Sequence, residues 1–283
     1  MARANTKAAE TTQVNSWEKD LAEQAAASFE QEKNSAGTGQ FFGLGSGILS
    51  YEGVNIPGNR MAVIILDSVM ENVHFEGAYD KANPANPDCF AFGRNEKEME
   101  PHESVEEPYS EMCGRAGQPG CCPNNEWYTA IRQDGSLGKG KACKNTRRLS
   151  MIPAGSFIGD VFQQITDEGH FADAKAGYMK LPVTSVKGYA GYVAELFKAH
   201  QRPPHGMITL VTVVQDKDTQ FRVEFEAIAK VPNELMETIM ARHKKAKGEI
   251  MFPYQPPVVK PEPAATPARG KAAPAAPARR SKF

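Results

Sequence analysis

MITLVTVVQDKDTQFRVEFEAIAK, residues 207–230, reads as two extended runs joined by the polar stretch Asp216-Lys217-Asp218-Thr219. In the second run Phe221, Val223 and Phe225 alternate with Arg222, Glu224 and Glu226, the period-two pattern of a strand with one wet face. A half-buried antiparallel hairpin is the expectation. Upstream, MAVIIL (61–66) is the strongest single strand candidate. It follows the turn residues Ile56-Pro57-Gly58-Asn59 and short extended pieces at 41–42 and 48–51, and residues 149–152 add another strand. The glycines at 43, 45 and 47 lack the Lys-Ser/Thr ending or the strand-helix context of a phosphate loop, and read instead as sites of close strand approach.

Helical spacing recurs four times. Trp17, Leu21, Ala25 and Phe29 form a stripe within 15–33, and Phe157, Val161, Phe162 and Ile165 form another within 156–169. A third pattern, 184–199, carries Val186, Tyr189, Val193, Leu196 and Phe197 between Pro182 and Arg202-Pro203-Pro204. The last, 232–247, ends in His243-Lys244-Lys245, where cations suit the helix dipole. Short strands separated by turns, with no long strand-helix alternation, predict an α+β fold: an OB-like antiparallel β-barrel or open sheet with peripheral helices.

The predicted organisation is a flexible N-terminus (1–14), one OB-like domain (15–252) with a cysteine- and histidine-bearing insertion at 89–148, and a tail at 253–283. That tail is dominated by proline and alanine and is expected to be disordered. Formal net charge is −1, but the tail holds six basic residues against one acid, leaving the remainder of the chain at about −6. Nucleic-acid binding therefore has to rest on local basic surfaces. No apolar run reaches membrane-spanning length and no secretory signal is evident, so no membrane partner is expected.

The stretch from Cys113 to Cys143 within the insertion has few apolar residues beyond Trp127, Tyr128 and Ile131, too few to hold a shape by packing alone. Its cysteines, in an odd total of five, suit a metal site better than a disulfide framework, although a disulfide or redox pair is an alternative. The expected ligands of a structural zinc ion are His102, Cys113, Cys122 and Cys143, with Cys121 as the rival of Cys122. A catalytic zinc is disfavoured, since all four positions are filled by protein and no HExxH arrangement is present. Beside it GKGKACKNTRR (138–148) carries Lys139, Lys141, Lys144, Arg147 and Arg148 without an acid. Such a loop suits phosphate contact, with Trp127, Tyr128, Tyr51, Phe75 and Tyr79 as base-stacking candidates.

The run GNRMAVIILDSVMENVHFEGAYDKANPANPDCFAFG, then Pro101-His102, Cys113, CPNNEW (122–127) and GKGKACKNTRRLSMIP (138–153), resembles bacteriophage-encoded single-stranded DNA-binding proteins. The resemblance spans roughly 40–230. It implies an OB-like core with a zinc-binding insertion, the four ligands above, and the five basic side chains lying near nucleic acid. The implied function is non-catalytic, largely sequence-independent binding of single-stranded DNA in phage replication or recombination, with replication or recombination proteins as further partners and the host cytoplasm as location. Two alternatives remain. One is a structural or scaffold protein of a virion or replication complex. The other is a metal-dependent nuclease built on Asp67, Glu71, His74 and Glu76, the one compact acid/histidine cluster outside the glutamate-rich run.

Overall fold

The computed structural model describes residues 41–51, 53–77, 86–114, 120–132 and 134–254. The helix expected at 15–33, the N-terminus, Tyr79 and all but the first two residues of the 253–283 tail lie outside these residues. Among the described residues there are ten strands: β1 (Phe41–Phe42), β2 (Ser50–Tyr51), β3 (Val54–Asn55), β4 (Arg60–His74), β5 (Cys89–Gly93), β6 (Lys144–Ile158), β7 (Val161–Gln164), β8 (Gly177–Leu181), β9 (Met207–Asp216) and β10 (Gln220–Lys230). Three α-helices accompany them: α1 (Glu168–Asp173), α2 (Val183–His200) and α3 (Met236–Glu249).

The main sheet has eight strands in the order β1-β8-β6-β4-β9-β10, with β5 pairing on β4 and β7 on β6. Every pair is antiparallel except β1 with β8. The order has two open ends, β1 and β10, so the sheet does not close and the barrel alternative is set aside in favour of an open sheet. No helix among the described residues is long and apolar enough to cross a membrane.

The two central strands, β4 and β6, are each fifteen residues long. Their register shifts between Ile65 and Asp67, a bulge with a consequence for facing. Before it, Val63 and Ile65 pack with Leu149, Met151, Met179 and Leu181 beneath Tyr189, Tyr192 and Leu196 of α2. Ala62, Ile64 and Leu66 point the other way, into a second core with Phe171 of α1 and Ile239 of α3. After the extra residue the odd positions take over that second face. Val69 joins Tyr178 and Ile250 there, and Glu71 follows it. A second shift, between Ala62 and Val63, accommodates Pro153, which has no N–H to give a ladder.

The hairpin at 207–230 and the helices at 184–199 and 232–247 form as expected. The helix expected at 156–169 does not. Ile158 pairs with Val161 across a two-residue connection, Gly159-Asp160, where Gly159 takes φ +58°. The apolar side chains that mimic a helical stripe instead face each other across strands, Phe157 and Phe162 with ring centroids 5.5 Å apart. A side chain at Gly155 would meet the Gln163 carbonyl oxygen and the Phe162 ring, so this position accepts only glycine for β7 to lie so close.

Candidate nucleic-acid interface

Between β5 and β6 the chain leaves the main sheet. Part of this excursion packs on the sheet, with Met99 and Cys113 against Ala91 and Met70. The remainder is held by hydrogen bonds from a few buried groups. Cys113 N donates to Met99 O (2.7 Å) and Cys143 N to Asn124 O (2.7 Å). Asn125, only 2% exposed, donates through Nδ2 to the carbonyls of Cys113 (2.9 Å) and Gly114 (2.5 Å). Its Oδ1 accepts from Lys141 Nζ (3.1 Å), which also reaches Asn145 Oδ1 (2.8 Å); Asn145 in turn donates to Asn72 Oδ1 of β4 (2.7 Å). This amide chain ties the excursion to the sheet. Asn125 and Asn145 were missed in the sequence, where CPNNEW served only as part of the resemblance and KNT only as part of the basic loop.

These bonds replace the zinc staple. Among the described residues no group of three or more His, Cys, Asp or Glu side chains is arranged to hold a metal ion, which overturns the expected structural Zn2+ site at His102, Cys113, Cys122 and Cys143. His102 stands apart: its ring stacks on Phe90 at 5.2 Å, and its Nδ1 accepts from Ser104 N. The five cysteines are free thiols, four of them buried, with Cys121 less so. Burial, followed by the neighbouring thiols Cys89 and Cys122, pushes Cys113 up to about 12. Cys143 is pushed to about 12 by burial and then by Cys113. Such thiols are protonated at neutral pH and behave as small apolar groups.

From this base extends a finger, residues 126–132 and 134–140. Thr129 and Ala130 N donate to Gly140 O, Gly138 N to Ala130 O and Arg132 N to Ser136 O, and Ile131 pairs with Leu137 as an isolated bridge. Thr129 Oγ1 donates to Glu126 O (2.7 Å) and accepts from Ala142 N (2.9 Å), locking the finger's root. At that root Trp127 is 61% and Tyr128 66% exposed. Tyr128 adopts φ +67°, a left-handed backbone that costs a non-glycine residue about 1–2 kcal/mol. Lys141 Nζ sits over the indole, 5.4 Å from the ring centroid. Lys139 and Lys144 are exposed nearby in sequence, and Lys144 Nζ donates to Lys141 O (2.8 Å).

The remaining predicted contacts divide differently. Along β6, side chains alternate between faces. Arg147 is half-buried with an unpartnered Nε, and Arg148 is 1% exposed. Arg148 Nη2 donates to Glu71 Oε1 (2.7 Å), and its Nη1 to the carbonyls of Ile250 (3.2 Å) and Phe252 (2.8 Å). The Phe92 and Phe252 rings each lie 4.3 Å from its guanidinium carbon. Arg148 therefore holds the segment after α3 onto the sheet and is not placed to meet a ligand, contrary to the sequence reading. Tyr51 stacks on Phe42 at 4.4 Å, a packing role. Phe75 lies 5.6 Å from Lys180 Nζ.

The proposed nuclease cluster is dispersed. Asp67 takes both terminal nitrogens of Arg94, Glu71 belongs to Arg148, and His74 Nδ1 lies 2.9 Å from Asp88. Burial opposes ionisation of Asp88, but hydrogen bonds from Tyr109 and His74 hold its carboxyl below the usual range. The same carboxylate pushes Tyr109 up to about 12. Comparison with protein-family models, with curated proteins and with solved structures finds no match to this chain.

Proposed function

We propose that the protein binds single-stranded DNA without catalysis and with little sequence preference, using the finger at 126–140 as its stacking platform. The observation that carries this reading is the pair Trp127 and Tyr128, both more than 60% exposed at the hydrogen-bonded root of the finger, with the Lys141 ammonium over the indole. Large aromatics left in water on an ordered support mark an interaction surface, and every base offers a π-face to them. Tyr128 accepts backbone strain at this point, as functional residues often do. Lys139 and Lys144 supply the phosphate contacts, while Lys141 acts through Asn125, Asn145 and the indole to position the platform. The reading agrees with the function implied by the resemblance to phage-encoded single-strand binding proteins, here carried on an open eight-stranded sheet.

Binding of a fluorescent oligothymidylate by the full chain tests this. Trp127→Ala should weaken binding by about 1–3 kcal/mol, the usual worth of one base–aromatic stack. Unchanged affinity in Trp127→Ala and Tyr128→Ala alike would sink the reading.

A further inference from the structure

Residues 96–111, in the excursion between β5 and β6, hold seven glutamates against one cation, Lys97. Glu100, Glu103, Glu106, Glu107 and Glu111 are exposed, and among the described residues no hydrogen bond or ion pair engages their carboxylates. The backbone beneath them is tied down: His102 N donates to Phe90 O (2.9 Å) and Cys113 N to Met99 O (2.7 Å), with Met99 1% exposed. Like charges fixed at this density repel one another and attract cations. Among the described residues no three acids converge to hold a metal ion, so the surface suits an extended polycation rather than a point ion.

The chain itself carries such a polycation, and the fold delivers it to this surface. After α3, Arg148 holds the carbonyls of Ile250 and Phe252, and the Tyr254 hydroxyl lies between Glu71 Oε1 and Lys180 Nζ. The Tyr254 ring is 5.1 Å from Phe90, and Phe90 stacks at 5.2 Å on His102, which Glu100 and Glu103 bracket in sequence. Beyond Tyr254, residues 255–283 contain Lys260, Arg269, Lys271, Arg279, Arg280 and Lys282 against Glu262 alone. We infer that residues 255–283 dock in cis on the acidic surface of 96–111. Lys260 is six residues past Tyr254, a reach of about 19 Å at the rise of a proline-rich chain, which spans the two ring contacts between Tyr254 and His102. One exposed ion pair contributes at most about 1 kcal/mol, but several on one tether act together at an effective concentration of about millimolar. Proline and alanine give the segment little apolar surface to bury, which leaves charge as its means of recognition. The formal net charge of −1 is then the sum of two opposed blocks in contact.

Carbodiimide coupling of the full chain, mixed in equal parts with isotope-labelled chain and read by peptide mass spectrometry, tests this. No nucleic acid is present, so the outcome is separate from that of the single-strand reading. At low salt Lys260 and Lys271 should join the glutamates of 96–111 within one chain, in preference to Glu195 of α2 and Glu237 of α3, which are also exposed. Lys245 and Glu249, 3.9 Å apart on α3, give an internal standard. Relative to it, 1 M NaCl should lower the yield about fivefold, since the screening length falls to about 3 Å. Arg269→Gln with Arg279→Gln and Arg280→Gln leaves every coupling group in place, alters no described residue and should lower the yield about threefold. A yield unmoved by salt or by the arginine changes, or links spread evenly over Glu195 and Glu237, overturns the docking. Links that pair labelled with unlabelled chains as often as like with like overturn docking in cis and assign the surface to a second copy of the chain.

Discussion

Replacing Arg148 separates a structural cation from a ligand-binding one. Its guanidinium is 1% exposed and faces Glu71, itself 0% exposed. Arg148→Met removes one ion pair and two hydrogen bonds to the carbonyls of Ile250 and Phe252, and leaves the Glu71 carboxylate buried with Tyr254 and no cation of equal reach. Breaking a buried pair from one side costs about 3–5 kcal/mol, because the remaining charge stays desolvated. At a urea dependence of about 3 kcal/mol per molar, that lowers the unfolding midpoint by about 1–1.7 M. Adding Glu71→Leu should recover most of the loss, since two apolar side chains tolerate the site where a lone carboxylate does not. Urea unfolding followed by circular dichroism measures this. Under conditions where the variant is folded, the salt dependence of its DNA binding should equal that of wild type. A midpoint change worth under about 1 kcal/mol, or a salt slope reduced by about 0.7, would refute the assignment.

Neutralising the exposed cations should behave in the opposite way: Lys139→Gln with Lys144→Gln leaves the urea midpoint nearly unchanged and reduces the slope of log K against log salt by about 1.4. Gly155→Ala should destabilise by about 1–3 kcal/mol, because its methyl overlaps the Gln163 carbonyl oxygen and the Phe162 ring; thermal unfolding reads this directly. His205, stacked on His243 at 4.2 Å, is pushed down to about 4 by burial and then by the neighbouring imidazole. A histidine lowered on folding binds fewer protons than in the unfolded chain, so its contribution is present above about pH 6.5 and is lost as pH falls toward 4. Discounted for partial exposure, that is about 1–2 kcal/mol, measurable as the difference between wild type and His205→Gln in unfolding at pH 4.5 and pH 7.

The parts of the fold legible in the sequence are those whose side-chain period is unmistakable. Phe221, Val223 and Phe225 against Arg222, Glu224 and Glu226 mark β10, and Tyr189 and Leu196 mark the buried side of α2. The central strands were read too short, because β4 continues past MAVIIL through Asp67, Ser68, Glu71 and Asn72. Their polarity suggests a loop, yet Glu71 and Asn72 are buried against partners more than seventy residues away. The 156–169 segment was misread because its apolar spacing fits a helix as well as a hairpin, and Gly159-Asp160 was the decisive signal.

Much the same divides the candidate site. The aromatic and basic composition of 127–144 is plain in the sequence, whereas exposure is not: Trp127 and Tyr51 look equivalent until one is found in water and the other on Phe42. Arg147 and Arg148 differ by strand alternation, which turns Arg148 toward Glu71, two positions along β4 from its cross-strand partner Val69. The cysteines suggested zinc because the insertion lacks apolar residues. Buried amides, above all Asn125, hold it instead.

The central claim is tested most directly by titrating oligothymidylate into a Trp17→Phe variant, in which Trp127 is the remaining tryptophan. Stacking predicts quenching of Trp127 fluorescence that saturates with DNA, with an affinity that falls linearly in log salt. Fluorescence that stays constant at low salt while DNA is in excess would contradict it.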